Sequence, residues 1–240
     1  MKQIIIYIVL YISLLSCVST VKTEELIKDV ALEKTEILAD GTTVVVIKVE
    51  LNEKLTQRKV RFEVDRGFLI DSKDGNVILV DAEMENQQLF AKAKLRAPST
   101  PGLITINIQS ELPDRKGLNV VTKTITAKES VPQKLELKAN SFQVFNNFDG
   151  EIELSGQLYN AEGKGVSNGY RVKFNVPEPT KSAFRNENLI STNSKISATF
   201  SPGLVAPEQF LTISGTVLDA NGNDLKIPSN ELKIYVTQKK

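Results

Sequence analysis

The chain has 240 residues, with 30 Lys and Arg against 29 Asp and Glu and a formal net charge of +1. It holds no histidine, no tryptophan and one cysteine, Cys17, which excludes Ser-His-Asp and Cys-His catalysis, the usual zinc sites and haem ligation by histidine. The charge balance holds on either side of Pro132, so neither half carries the basic excess of a nucleic-acid binder.

No nucleic acid, cofactor or metal is therefore expected as a partner. With the commonest general base absent, carboxylate pairs are the remaining catalytic option, and the chain is read as a non-enzyme. Its length suits two domains of about 100 residues each.

The N-terminus reads as a processed segment. Lys2 supplies a short positive region, and Ile4 to Leu15 is an apolar run interrupted by Ser13. That run fits the apolar region of a signal peptide and falls short of the roughly 20 residues a spanning helix needs. It ends in Leu14-Leu15-Ser16-Cys17, which resembles the bacterial lipobox. The resemblance implies cleavage after Ser16, a diacylglycerol thioether on Cys17 and acylation (palmitate) of the freed amine. Two or three acyl chains give stable membrane residence where one does not. Val18 stands where an inner-membrane retention signal would have Asp, so the resemblance implies the outer membrane. Residues 18–26 are polar and aperiodic and read as a tether. Within them, Lys22-Thr23-Glu24-Glu25 resembles a surface-export signal, though it lies further from the cysteine than that signal does.

Beyond residue 26 the period is two. Val45, Ile47, Val49 and Leu51 alternate with more polar positions, as do Val60, Phe62 and Val64, and Ile104, Ile106 and Ile108. Such alternation predicts strands with one face on a core and one in water. No helical period is sustained, so the chain is predicted to be all-β.

The pattern then repeats. Lys59-Val-Arg-Phe-Glu-Val64 is matched by Arg171-Val-Lys-Phe-Asn-Val176, and Pro101-Gly102-Leu103 by Pro202-Gly203-Leu204. Offsets of roughly 100 residues predict tandem domains. The seam falls in AKESVPQK, where Pro132 interrupts pairing between two alternating runs. The expected division is a signal peptide over 1–16, a tether over 17–26, and β-sandwiches over 27–130 and 131–240.

Within each copy the order of signals resembles bacterial Ig-like domains of the invasin and intimin type. The first copy has Ala39-Asp40-Gly41 before a strand, then KVRFEVDRG, then STPGLITINI. The second has QLYNAEGKGVSNGYRVKFNV, where NAEGKGVSN occupies that family's D-x-x-G-x-P-V turn. It departs from the family pattern at Gly165, where proline is usual, and FDGEIELSG echoes ADG only loosely. The resemblance implies two tandem Ig-like sandwiches.

Several clusters invite a functional reading. Asp219, Asn221, Asn223 and Asp224 place oxygens at alternate positions, as a calcium loop would, but lack a downstream bidentate Glu. Asn-Gly is equally a strong hairpin signal, and the turn is the preferred reading. Asp71 to Asn76 is read likewise, with Asp74-Gly75 as the turn. Phe142, Phe145 and Phe148 form either a ligand-contact loop or the core-facing start of a sandwich, the latter being preferred. Tyr159 and Tyr170 flank the AEGKGVSNG hairpin, either as an exposed patch or as packing residues. Glu83 to Gln88 is expected to be a solvated turn.

Together these predict a bacterial lipoprotein held to the membrane through Cys17 and meeting a protein partner at the envelope, in adhesion or complex assembly. A glycan is the alternative partner, which would require an exposed aromatic platform. A carboxylate-dependent enzyme is the second alternative.

Overall fold

The computed structural model describes residues 26–53, 58–111, 120–146, 150–176, 183–184, 189–203 and 208–238. Cys17, the run before it and the tether up to residue 25 lie outside the described residues, as do Phe148 and Asp149. Among the described residues every regular element is a strand. The protein is all-β.

Strands of the first half build two facing sheets. One has the order β1 (Ile27–Leu32), β3 (Val44–Leu51), β8 (Gln88–Arg96), β5 (Phe68–Leu69), with β7 (Glu83–Glu85) also paired to β8. The other runs β2 (Glu36–Leu38), β10 (Val120–Lys128), β9 (Gly102–Glu111), β4 (Lys59–Val64), β6 (Val77–Asp81). The alternating residues point where the period requires. Val45, Ile47, Val49 and Leu51 meet Val60, Phe62, Ile104, Ile106 and Ile108 in one buried core. Full burial of such side chains contributes about 1.5–3 kcal/mol each.

Strands of the second half repeat this plan. One sheet is β11 (Lys134–Ala139), β13 (Ile152–Tyr159), β17 (Lys195–Ser201), β15 (Ala183–Phe184). Its partner is β12 (Gln143–Phe145), β19 (Leu232–Thr237), β18 (Gln209–Leu218), β14 (Arg171–Asn175), β16 (Leu189–Ile190). The matched sequences KVRFEV and RVKFNV are β4 and β14, each between the corresponding neighbours. In both copies the first strand divides: β1 and β11 pair antiparallel in one sheet, then β2 and β12 pair parallel with β10 and β19 in the other. A second, separate core surrounds Leu154, Leu158, Phe200, Ile213 and Ile234. No cysteine lies among the described residues, so both sandwiches are joined across their sheets by packing.

Two expectations change. Glu83–Glu85 is a strand, and only Asn86 and Gln87 turn, at φ 49° and 65°. That two-residue hairpin geometry matches the twist of the flanking strands. The phenylalanines before the second core do not face it: Phe142 is 59 % and Phe145 44 % exposed. Val144 is the inward residue of β12, and the period of two therefore turns Phe145 outward.

Candidate functional site

The most constrained polar cluster lies where the two sandwiches meet. It begins at Ala39-Asp40-Gly41, just before β3. The Asp40 carboxylate accepts the backbone N–H groups of Thr42 (2.8 Å) and Thr43 (2.7 Å) and the Thr43 hydroxyl (2.6 Å). A short polar residue that bonds its own backbone a few residues on is how such turns are fixed. The bend leaves the Ala39 and Asp40 carbonyls facing the second sandwich.

The opposing surface is the loop from β13 to β14, which crosses from one sheet to the other and so is not the hairpin expected of AEGKGVSNG. Asn160 holds its shape by accepting the N–H groups of Glu162 (2.9 Å) and Lys164 (3.0 Å). The Ser194 hydroxyl accepts from Val166 N–H at 2.7 Å and donates to Val166 C=O at 3.1 Å. Ser167 donates its hydroxyl to Ala39 C=O (3.0 Å), and Asn168 N–H donates to Ser99 C=O (2.7 Å). Ser99 in turn donates to the Asn193 side-chain carbonyl at 2.9 Å.

The linker is stitched into the same contact. Ser130 N–H donates to Ser167 Oγ (2.9 Å), Ser167 N–H donates to Ser130 C=O (3.0 Å), and Ser130 Oγ donates to Gly165 C=O (2.9 Å). Asn160 Nδ2 donates to Ser130 Oγ at 3.0 Å. Ser130, Ser167, Asn160 and Ser194 are all buried, and each finds partners, as buried polar groups must. The departure from proline at residue 165 now has a cause. A Cβ at Gly165 would lie 2.4 Å from the Asp40 carbonyl oxygen and 2.6 Å from Ser194 Oγ.

Tyr170 belongs to the joint too. It is buried, and its hydroxyl donates to Glu129 Oε1 at 2.7 Å. Burial, then the bond and charge of Glu129, push the phenol well above its ordinary range. Tyr170 is thus a packing residue, while Tyr159 is half-buried beneath the Lys134 ammonium, 5.8 Å from its ring centre.

The acidic turns are self-contained. Asp219 Oδ1 accepts the N–H groups of Asn221 and Asn223, both at 2.8 Å, and Oδ2 accepts from Asn223 Nδ2 at 2.9 Å. Those bonds, the Asn223 side chain foremost, lower the carboxyl below its usual range. Its oxygens close a hairpin instead of facing a cation. Asp224 is lowered by the Lys226 ammonium, and Glu85 by Lys92, both at exposed positions. Residues 71–76 also turn, with Gly75 at φ 78°. Among the described residues no group of three or more Cys, Asp or Glu is placed to hold a metal.

What the sequence reading missed is a row of rings on the outer face of β12, β19 and β18. Phe210 is 67 % exposed and packs at 5.0 Å, centre to centre, against Tyr235. Phe145 stands on the same face, at the register position of Thr237. Phe145 stands 65 or more positions before Phe210 and Tyr235 in the sequence, which is why a local window did not join them.

No protein-family model matches the chain, and no curated protein matches it in sequence. Among solved structures, invasin, a bacterial integrin-binding protein, is similar at 14 % identity, with a TM-score of 0.55 over 88 % of this chain. The chain spans 39 % of the length of that structure. Yersinia pseudotuberculosis InvD (16 % identity, 88 % of this chain, 57 % of that one, TM-score 0.42) is also similar. So are the D0–D1 domains of intimin (16 % identity, 87 % of this chain, 98 % of that one, TM-score 0.32). At this identity the invasin likeness is one of fold: the chain carries tandem Ig-like sandwiches of the invasin type.

Proposed function

We propose that the chain is a bacterial lipoprotein, anchored by acylated Cys17, whose sandwiches form a non-catalytic binding module projecting from the envelope in adhesion or complex assembly. Residues 1–16 are the signal peptide, 17–26 the tether, and 27–130 and 131–240 the two sandwiches. Val18 after the cysteine favours the outer membrane.

The observation that carries this reading is the direction of the chain. Ile27 pairs with Leu51, while Ala39, Ser99 and Glu129 at the other end of the first sandwich meet the second. The tether therefore leaves the end remote from the joint. A lipid on Cys17 would hold that end at the membrane and point the second sandwich away from it. The joint stiffens the projection, and a protein partner would meet loops or edge strands at the far end. Invasin is an integrin-binding protein, and a partner of that kind is one form the proposal takes here.

A glycan-binding accessory role is the second reading. The observation favouring it is the exposed pair Phe210 and Tyr235 with Phe145 beside them.

Growth of the producing bacterium with an alkyne-tagged fatty acid tests the anchor. The wild-type chain is expected to take the label and stay with membranes, and Cys17→Ala to lose the label and become soluble. An unlabelled wild type, or label surviving in Cys17→Ala, contradicts the anchor.

A further inference from the structure

We infer that the outer face of β12, β19 and β18, at the end of the second sandwich away from the joint, is a binding site for a neutral carbohydrate chain. The site deepens the glycan-binding reading and stands on the second sandwich alone. Only its position far from the membrane rests on the anchor at Cys17.

The register defines the face. Gln143, Tyr235 and Phe210 lie side by side across the three strands, and Phe145 lies beside Thr237 in the next row outward. Val144, Val236 and Leu211 are the inward, buried residues of the same strands, so the others project to solvent. Neighbouring strands are about 4.8 Å apart and same-face residues about 6.8 Å apart along a strand. Three rings and their polar neighbours thus occupy a flat area only two rows deep. Glu208 completes it, its carboxylate accepting the Tyr235 hydroxyl, which fixes the orientation of that ring.

Location at this end follows from pairing. Arg171 of β14 pairs with Leu218 at the joint end of β18, whereas Phe210 and Tyr235 lie toward the opposite ends of β18 and β19. The Phe142 carbonyl accepts Tyr235 N–H at 2.8 Å, which ties the start of β12 to β19 at this level.

The ligand class follows from the alternation. Phe145, Tyr235 and Phe210 supply aromatic rings, while Gln143, Thr237 and Glu208 supply an amide, a hydroxyl and a carboxylate beside them. A pyranose has matching surfaces: a patch of C–H groups that covers an aromatic ring and a rim of hydroxyls that donates to and accepts from such side chains. Phe210 and Tyr235, 5.0 Å apart and inclined at 48°, pack into one continuous aromatic patch that a sugar ring can cover. None of these six residues is a cation; Lys233, exposed in the adjoining row opposite Thr212, is the single cation of β12, β19 and the paired part of β18. One lysine together with the Glu208 carboxylate is not the cluster that holds a phosphate or an anionic polymer. None of the six is aliphatic, whereas a protein partner favours a contiguous apolar patch with a pocket for an anchor residue.

The test uses the full-length chain extracted in detergent and run through native gels cast with laminarin, xylan, glucomannan or galactomannan. At least one polysaccharide is expected to retard the wild type. Phe210→Ala with Tyr235→Ala should weaken that retardation about tenfold. Leu103→Ser, at an exposed position of the first sandwich, should leave it unchanged. Because Phe210 and Tyr235 lie outside the core, thermal melts of the double variant should overlay the wild type, separating lost binding from lost folding. Three results overturn the site: no polysaccharide retards the wild type, the double variant is retarded equally, or only an immobilised apolar peptide binds this face. A chain that takes no fatty acid but is retarded refutes the anchor and leaves the site. A labelled chain that no polysaccharide retards does the reverse.

Discussion

A methyl group at residue 165 would stand 2.4 Å from the Asp40 carbonyl oxygen, closer than carbon and oxygen approach without displacement. The glycine there is a consequence of the neighbouring sandwich and of Ser194 in its own, and not of its own turn, whose shape is set by Asn160. Tyr170 shows the same dependence in its chemistry. Its phenol holds a proton more tightly folded than unfolded, because burial and Glu129 both disfavour the phenolate. The stability this contributes is complete below the ordinary phenol value of about 10 and is lost as pH rises above it. Melting temperatures measured from pH 8 to 11 should therefore fall above about pH 10, and Tyr170→Phe should make that fall shallower. An unchanged slope in the variant would remove Tyr170 from the alkaline transition.

Among the elements, β4 and β14 carry the repeat. Phe62 is fully buried at the centre of the first core, and the second sandwich has a core of its own. Phe62→Ala should cost the first sandwich about 3–5 kcal/mol, read as a lowered urea midpoint. The second sandwich should keep its own transition. One merged transition, shifted as a whole, would mean that the two cores unfold as a unit. These strands were legible because one face is buried and the period of two records it: β3, β4 and β9 lie where the alternation puts them. β12 was not legible. It has three residues, and in Phe142-Gln-Val-Phe145 the two phenylalanines fall on opposite parities, so either Val144 or Phe145 could have faced inward. Packing beside β19 decides for Val144. The joint was hidden for a different reason. Its Ser and Asn residues are the ordinary composition of a solvated loop, and their partners are remote, Ser167 meeting Ala39 across 128 positions of sequence. The sign that could have exposed it is the glycine standing in the proline slot of the turn.

For the whole molecule, what matters is whether two sandwiches act as one projecting body. The linker alone would not ensure it, since an exposed tether between domains permits independent motion. Here Ser130 in the linker is buried and bonded on both its backbone and its side chain to the second sandwich. Both faces of the contact also meet directly through Ala39 with Ser167 and Ser99 with Asn168 and Asn193. Such a network resists bending because each broken bond leaves a buried polar group unpaired. A rigid joint would turn the proposed anchor at one end and the aromatic face at the other into a reach of fixed length. The lone cysteine makes this measurable. In a Cys17→Ala background, spin labels on cysteines placed by Lys94→Cys and Lys233→Cys, both at exposed positions, report the distance between the sandwiches. A locked joint gives one narrow distance distribution, broadened when Gly165→Ala is added; a distribution already broad without Gly165→Ala contradicts it.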